Sequence, residues 1–251
     1  MNPAIEVCGL TFVYPDGRVA IDGIDLHIAV GERIAILGPN GAGKTTLMLQ
    51  LNGVLTATSG RVRISGIELK RATVQDIRRR VGIVFQDPDD QLFMPTVAQD
   101  VAFGPANFGV TGEALTQRVK AALESVGMLD EADRSAAHLS GGQRRRVALA
   151  TVLACEPDVL VLDEPSANLD PVARRELAET LLTLDTTMLL VTHDIPYAAQ
   201  LCDRVVVLDE GKIVADGSVH DVLADRDLLG RHRLELPWGF SLPRTRGRSS
   251  P

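Results

Sequence analysis

The sequence predicts an α/β fold in which helices cover a parallel central sheet. Four short apolar runs, rich in β-branched residues, have the composition of strands buried on both faces: 33–37, 81–86, 158–164 and 188–192. Helical segments separate these runs along the chain, as crossover connections between parallel strands require. Residues 4–8 and 24–30 instead alternate apolar and polar side chains, and predict an antiparallel β-subdomain at the N-terminal end.

Length and composition set the expected domain organisation. A chain of 251 residues with 45% hydrophobic content is sufficient for one large domain, which we expect over residues 1–225. Residues 87–155 are predicted to be helical and lie between two core strands, so they indicate an inserted subdomain. Residues 226–251 are basic and irregular and predict a loosely docked, partly disordered tail. Contact of this tail with a membrane surface is the alternative.

Charge and cysteine usage exclude some classes of protein. The net charge of −7 argues against nucleic acid as the main ligand. The three cysteines are far apart along the chain, which predicts free thiols with no disulfide or zinc framework. No apolar run approaches the ~18 residues that a membrane span needs, so any role at a membrane is expected to come through a partner.

A phosphate-binding loop follows the first predicted core strand. The pattern G-x-x-x-x-G-K-[ST] is matched by Gly38, Pro39, Asn40, Gly41, Ala42, Gly43, Lys44 and Thr45, with Thr46 next in the chain. Glycines turn backbone N–H groups toward one point, and the helix that follows adds the positive end of its dipole. The lysine would reach the β- and γ-phosphates and the Thr45 hydroxyl would ligate Mg²⁺. These residues predict a nucleoside triphosphate site.

Two carboxylates end the third core strand. Ionised side chains at the end of a buried strand are costly without a cation, so Mg²⁺ is the natural partner of Asp163. Glu164 is then placed to orient an attacking water or to take its proton. The alternative is a strand cap at a solvent-exposed edge.

A second anion site is predicted at residues 140–143. Ser140 and Gln143 have the spacing of a capping box, so Ser140 should be the N-cap of a helix. Gly141 and Gly142 are poor helix formers but leave N–H groups open to a phosphate at the positive helix end. Asp170 is the predicted N-cap of the next helix, with Pro171 at its first position.

Three further residues are weak signals on their own. Tyr14 precedes the P-loop and is either an adenine-stacking ring or an edge-strand tyrosine. Gln86 and His193 each come at the end of a core strand, the ligand side of an α/β sheet, although a lone histidine is usually structural.

The chain resembles the ATP-binding cassette family over about residues 4–222. The resemblance rests on four motifs that occur in the family's order: the P-loop, Leu139–Gln143, Asp163-Glu164 and His193. The resemblance implies a P-loop NTPase core of the RecA type, with ATP as its nucleotide and a helical subdomain that carries residues 139–143 as the family's signature. It assigns Tyr14 to adenine stacking, Gln86 to sensing Mg²⁺ and water, His193 to the γ-phosphate and Glu164 to catalysis. Asp170 lies in one of the family's connecting loops.

The same resemblance implies partners. Two cassettes would pair head to tail, as a homodimer or heterodimer, with each ATP between one P-loop and the other subunit's signature. Residues 86–93 and 101–105 are similar to the ATPases of energy-coupling factor importers, which bring in cobalt, nickel or vitamins. This likeness implies a peripheral position on the cytoplasmic face of the cell membrane, bound to integral membrane subunits.

Two other functions are weighed against an import ATPase. Soluble cassette ATPases of DNA repair insert a long coiled coil, yet residues 47–138 show no sustained heptads, and ribosome-acting types usually carry two cassettes on one chain. A P-loop kinase would not need the double-glycine helix start after Ser140.

Overall fold

The structure is a computed structural model that describes residues 2–241. The end of the predicted basic tail, residues 242–251, therefore lies outside the described residues.

A six-stranded sheet forms the centre of the molecule. Its strands are β3 (Arg33–Leu37), β6 (Val81–Val84), β7 (Val159–Asp163), β8 (Thr187–Val191), β9 (Arg204–Asp209) and β10 (Lys212–Ser218). The spatial order is β10-β9-β3-β8-β7-β6, and every neighbouring pair is parallel except β10 with β9. Each residue of β7 and β8 is buried, as expected of strands covered on both faces. The predicted parallel sheet is confirmed, with one antiparallel strand added at its edge.

A four-stranded antiparallel sheet lies at the N-terminal side, as predicted. Its strands are β1 (Ile5–Val13), β2 (Val19–Ile28), β4 (Ser59–Ile64) and β5 (Ile67–Glu68), in the order β2-β1-β4-β5. The inner face of this sheet shares a hydrophobic core with α1 (Lys44–Leu51), α2 (Val74–Arg80) and one face of the central sheet. The P-loop, between β3 and α1, is thereby supported from both sheets.

Helices cover the opposite face of the central sheet. Three of them, α3 (Val97–Asn107), α4 (Gly112–Ser125) and α5 (Gly141–Leu153), lie between β6 and β7 in the chain, where the helical insert was predicted. They share a second hydrophobic core with α6 (Pro171–Thr183), α7 (Ile195–Leu201) and α8 (Val219–Ala224). Within residues 2–241, no helix is long and apolar enough to cross a membrane.

The start of the expected loose tail is ordered and packed. Residues Arg226–Arg231 form α9, and Leu229 and Leu234 are buried in the second core. The ring of His232 lies 2.9 Å from an Asp209 carboxylate oxygen at the end of β9. The prediction of an irregular segment is wrong here, because a few apolar side chains among the charges are enough to dock the chain.

Candidate active site

The P-loop bends where only glycine fits. Gly43 has φ of +104°, and a Cβ on it would lie 2.4 Å from the Ala20 carbonyl oxygen. A Cβ on Gly38 would lie 2.1 Å from the carbonyl oxygen of Leu208. These close approaches fix the loop between β2 and β9. The N–H groups in the first turn of α1 have no acceptor within the helix and lie at its positive end.

Lys44 lies inside the loop. Its ammonium donates to the carbonyl oxygens of Gly38, at 2.7 Å, and Pro39, at 3.0 Å. Burial lowers the pKa of this lysine, while the nearby charges of Glu164 and Asp163 oppose that change. The cation is thus held between the loop backbone and the two carboxylates at the end of β7.

Asp163 and Thr45 offer oxygen atoms to a hard cation. The Thr45 hydroxyl donates to a carboxylate oxygen of Asp163 at 3.4 Å. Burial, and next the charge of Glu164, raise the pKa of Asp163 from 3.8 to about 6. A bound cation stabilises such a poorly solvated carboxylate more than it stabilises an exposed one. Hydroxyl and carboxylate oxygens are also ligands that suit Mg²⁺. The residues present fit a magnesium ion.

Glu164 is held on three sides. The hydroxyl of Thr192 donates to it at 2.8 Å, and the backbone N–H of His193 donates at 3.0 Å. The Nδ1 atom of the same histidine lies 2.7 Å from Glu164 Oε1. Glu164 itself has φ of +46°, an unusual conformation for a residue with a side chain, and its N–H donates to the Val191 carbonyl. Glu164 and His193, which the sequence assigns to separate roles, are therefore in direct contact.

A pocket of about 270 Å³ lies against the P-loop and brings most of the predicted residues together. Besides residues 40–46, its lining includes Tyr14, Gln86, Asp163 and Glu164. Gln86 comes two residues after β6 and is exposed.

Tyr14 is braced on the P-loop. Its hydroxyl lies 2.9 Å from the Thr46 hydroxyl, and the guanidinium of Arg18 is 4.6 Å from the ring centroid. An adenine that stacks on the face covered by Arg18 would have to displace this arginine, a competitor that the sequence did not reveal.

The signature residues do not line the P-loop pocket. Ser140 is the N-cap of α5 with a complete capping box, as predicted: its hydroxyl accepts from Gln143 N–H, and the Gln143 side chain accepts from Ser140 N–H. A Cβ on Gly142 would lie 2.8 Å from the Ala173 side chain, whereas a Cβ on Gly141 would meet open space. Packing therefore explains the second glycine but not the first, whose N–H is left accessible.

Asp170 has its side chain occupied. One carboxylate oxygen accepts from the N–H groups of Val172 and Ala173, at 2.9 and 3.0 Å. This is the predicted N-cap of α6. A contact between Asp170 and a nucleotide stays a prediction.

Arg145 is a site residue that the sequence analysis did not single out. It is only 4% exposed, and its guanidinium donates to the carbonyl oxygens of Gln86 and of Ala167, the latter at 3.0 Å. The first acceptor belongs to the loop after β6 and the second to the loop after β7. Its place could have been found from helical spacing, because Arg145 lies on the same stripe of α5 as Ala148, Leu149 and Val152.

Comparison with known proteins decides the family. The model of the family described as ABC transporter matches residues 21–167, more than half of the chain. The chain belongs to this family. It is an ABC transporter ATPase, and the predicted fold class and ATPase activity are confirmed.

Two relatives align with nearly the whole length of the chain. A protein of Streptomyces avermitilis, provisionally named an ABC transporter ATP-binding protein, is 60% identical over 95% of this chain and 91% of its own length. The energy-coupling factor transporter ATP-binding protein EcfA of Carboxydothermus hydrogenoformans is 47% identical over 94% of this chain and 88% of its own. The predicted resemblance to energy-coupling factor ATPases is confirmed.

Two solved structures are similar in fold. CbiO1 of Clostridium perfringens, described as part of the ABC transporter complex cbiONQ, has a TM-score of 0.83 and 39% identity, covering 94% of this chain and 97% of that one. The ATP-binding cassette MJ0796, in a dimeric post-hydrolysis state with ADP and Pi, has a TM-score of 0.76 and 28% identity, covering 86% and 98%.

The raised pKa of Asp163 predicts a stabilising substitution. Since Asp163 binds a proton more tightly in the folded state (pKa about 6) than in the unfolded state (3.8), the protein loses stability as the pH rises between these values. Asp163→Asn removes that loss, and should raise the free energy of unfolding without nucleotide or Mg²⁺ by roughly 1–3 kcal/mol at pH 8. Urea denaturation at pH 8 and pH 5 measures it, and the gain should shrink at the lower pH.

Asp185→Asn, at an exposed position, is the matched control and should change little at either pH. Destabilisation by Asp163→Asn at pH 8 would show that burial does not disfavour the ionised form of Asp163.

Replacing Arg145 should lower both the stability of the protein and its ATPase activity. Arg145→Met keeps an unbranched stem but removes the guanidinium, which leaves the carbonyl oxygens of Gln86 and Ala167 without their donor. We expect the free energy of unfolding to fall by roughly 1–3 kcal/mol. ATP turnover should also fall, because the loop that carries Gln86 loses its anchor. Urea denaturation and an ATPase assay measure the two effects. Arg175→Met, at an exposed position of α6, should alter neither, and an Arg145 variant with normal turnover would remove the anchoring role.

Proposed function

We propose that this chain is the ATP-hydrolysing subunit of an energy-coupling factor importer for cobalt, nickel or a vitamin, bound peripherally at the cytoplasmic face of the cell membrane. The observation that carries this proposal is the 47% identity to an EcfA protein over 94% of the chain. The similarity to CbiO1, a part of the cbiONQ complex, supports it.

ATP binding would use the P-loop and Tyr14. The N–H groups of the loop and of the start of α1 surround the β-phosphate, and Lys44 turns from the carbonyl oxygens of Gly38 and Pro39 to the β- and γ-phosphates. Thr45 and Asp163 would hold Mg²⁺, with Gln86 near it at the pocket wall. The bound ion would neutralise part of the phosphate charge.

Hydrolysis would depend on Glu164. The donors on Thr192 and His193 orient this carboxylate and leave it at the pocket lining, where a water in line with the γ-phosphate would meet it. Glu164 then orients that water and takes its proton. Because the Nδ1 atom of His193 contacts Glu164, the same histidine would bind the γ-phosphate through its other ring nitrogen.

A second cassette would complete the site. Ser140 and Gly141 are exposed and do not line this chain's own P-loop pocket, so the open N–H group of Gly141 is available to a phosphate held by a different subunit. A head-to-tail pair, with an identical or a related chain, places each signature on the partner's ATP. Asp170 lies at the start of α6, next to the signature helix, and would face the same interface.

The surface that meets the membrane partner would lie around Phe93. The two apolar residues after Gln91 differ in burial, since Leu92 packs partly against the second core whereas Phe93 is 61% exposed. The backbone of Phe93 is fixed, because its N–H donates to buried Asp100 at 2.9 Å, and its ring packs edge-on against Phe103 at 5.0 Å. An exposed aromatic pair on a rigid backbone is typical of a binding surface.

The alternative is a soluble cassette ATPase with no membrane partner. It shares every ATP-binding residue above, so nucleotide chemistry does not separate the two functions. Only the partner does.

Glu164→Gln tests the catalytic role. Glutamine keeps the shape and one of the two acceptor oxygens but cannot take a proton, so ATP should still bind while turnover falls by orders of magnitude. Size-exclusion chromatography with ATP should then show a trapped dimer. Glu179→Gln, at an exposed position of α6, should hydrolyse ATP as the wild type does, and near-normal turnover in the Glu164 variant would overturn the assignment.

Phe93→Asp tests the membrane partner. A charge in place of the exposed ring should abolish co-purification with integral membrane proteins from detergent-solubilised membranes, and with it the uptake of labelled cobalt, nickel or biotin by the cells. Basal ATPase activity and stability should stay within about 1 kcal/mol of wild type, as for a surface change.

Val30→Asp is the matched control, because Val30 is an exposed apolar residue in the turn between β2 and β3. It should leave co-purification and uptake intact. If the wild-type chain brings down no integral membrane protein, the soluble alternative stands. If Phe93→Asp transports normally, the docking surface lies elsewhere.

A further inference from the structure

The outer face of the antiparallel sheet carries a cluster of three potential metal ligands. Glu6 and Cys8 are two residues apart on β1 and therefore project from the same face, and His27 on β2 is the direct cross-strand partner of Glu6. This face is turned away from the core that Ile5 and Val7 enter. Nothing in the nucleotide site uses these residues.

We propose that Glu6, Cys8 and His27 form a zinc-binding site. The Oε1 atom of Glu6 lies 3.8 Å from the Cys8 sulfur and 3.7 Å from His27 Nε2, and the three ligand atoms all lie within 4.8 Å of one another. Bonds of ~2.0–2.3 Å in tetrahedral geometry place zinc ligands roughly 3.3–3.5 Å apart. Small side-chain rotations would bring the three ligand atoms to that spacing.

The two oxygens of Glu6 have different neighbours. Arg63, on the neighbouring strand β4, lies 3.3 Å from Oε2, whereas Oε1 faces the thiol and the imidazole. An arginine held on the far oxygen orients the carboxylate for monodentate ligation, as the outer partners of zinc ligands do. An ion pair alone would explain why Arg63 lies beside Glu6. It would not explain why the Cys8 thiol lies beside the other oxygen, Oε1.

The backbone of His27 is fixed independently. Its carbonyl oxygen accepts from Arg204 at 2.9 Å, and the same guanidinium is paired with Glu32 and Asp216. Binding would thus require little reordering of the main chain, which lowers its entropic cost.

The ligand set determines the chemistry of the site. One sulfur, one nitrogen and one oxygen donor are a combination that Zn²⁺ takes, and the Cys8 thiol gives its proton to solvent when it binds. Since the His27 side chain is 60% exposed, the fourth position would hold water. Three protein ligands and one open position favour a reversible site. The ion would link β1 to β2 and stiffen the strands that lead to Tyr14.

Zinc titration of the purified full-length chain, without a histidine tag, tests the proposal. Isothermal titration with ZnCl₂ should show one site at micromolar zinc, and zinc should raise the melting temperature. Cys8→Ser and His27→Ala should each weaken binding at least about tenfold and abolish the thermal shift. Cys155→Ser, which alters a part-buried cysteine outside the cluster, should bind zinc as the wild type does.

Cobalt provides a spectroscopic check on the ligand. Co²⁺ bound by a thiolate gives a charge-transfer band in the near ultraviolet, expected in the wild type and in Cys155→Ser but absent in Cys8→Ser. A chain that binds no zinc at these concentrations, or a Cys8→Ser variant that binds it equally well, overturns the proposal. Neither result bears on transport, because the cluster is separate from the nucleotide site.

Discussion

The charge balance at the carboxyl end of the parallel sheet is the constraint on which the rest of the site depends. One ammonium and two carboxylates, from Lys44, Asp163 and Glu164, share a space with little water, and each alone would be costly there. The P-loop carbonyl oxygens hold the cation, and hydroxyl and backbone donors hold the anions. When nucleotide and metal bind, these three charged side chains would change partners, and no further unpaired charge would become buried.

A buried arginine connects this centre to the helical insert. Through its contacts with the carbonyl oxygens of Gln86 and Ala167, Arg145 ties the start of α5 to two loops that leave the central sheet. A shift of α5, whose first turn carries the signature, is therefore resisted by the loops beside the nucleotide pocket. The Phe93 surface lies in the same insert, fixed to α3 by Asp100.

Local signals in the sequence predicted most of the fold. Apolar runs located the buried strands, and the capping box at Ser140 located the start of α5, because a cap depends on four adjacent residues only. Arg145 was missed since three consecutive arginines look alike until the period of the helix is applied. The docking of Leu229 was missed because it depends on a surface formed by distant parts of the chain. The sequence predicts an anion site at the signature, but only the folded chain shows that the signature does not line the P-loop pocket of the same chain.

The docked C-terminal segment changes what counts as the minimal cassette. The Leu208 carbonyl supports the backbone of Gly38, and the next residue, Asp209, is the partner of His232. A fragment cut at residue 225, the end of the domain expected from the sequence, would expose to water the surface on which Leu229 and Leu234 pack. It would also leave Asp209 without its histidine partner close to the P-loop. Family boundaries drawn from motifs alone would therefore yield a less stable, aggregation-prone ATPase.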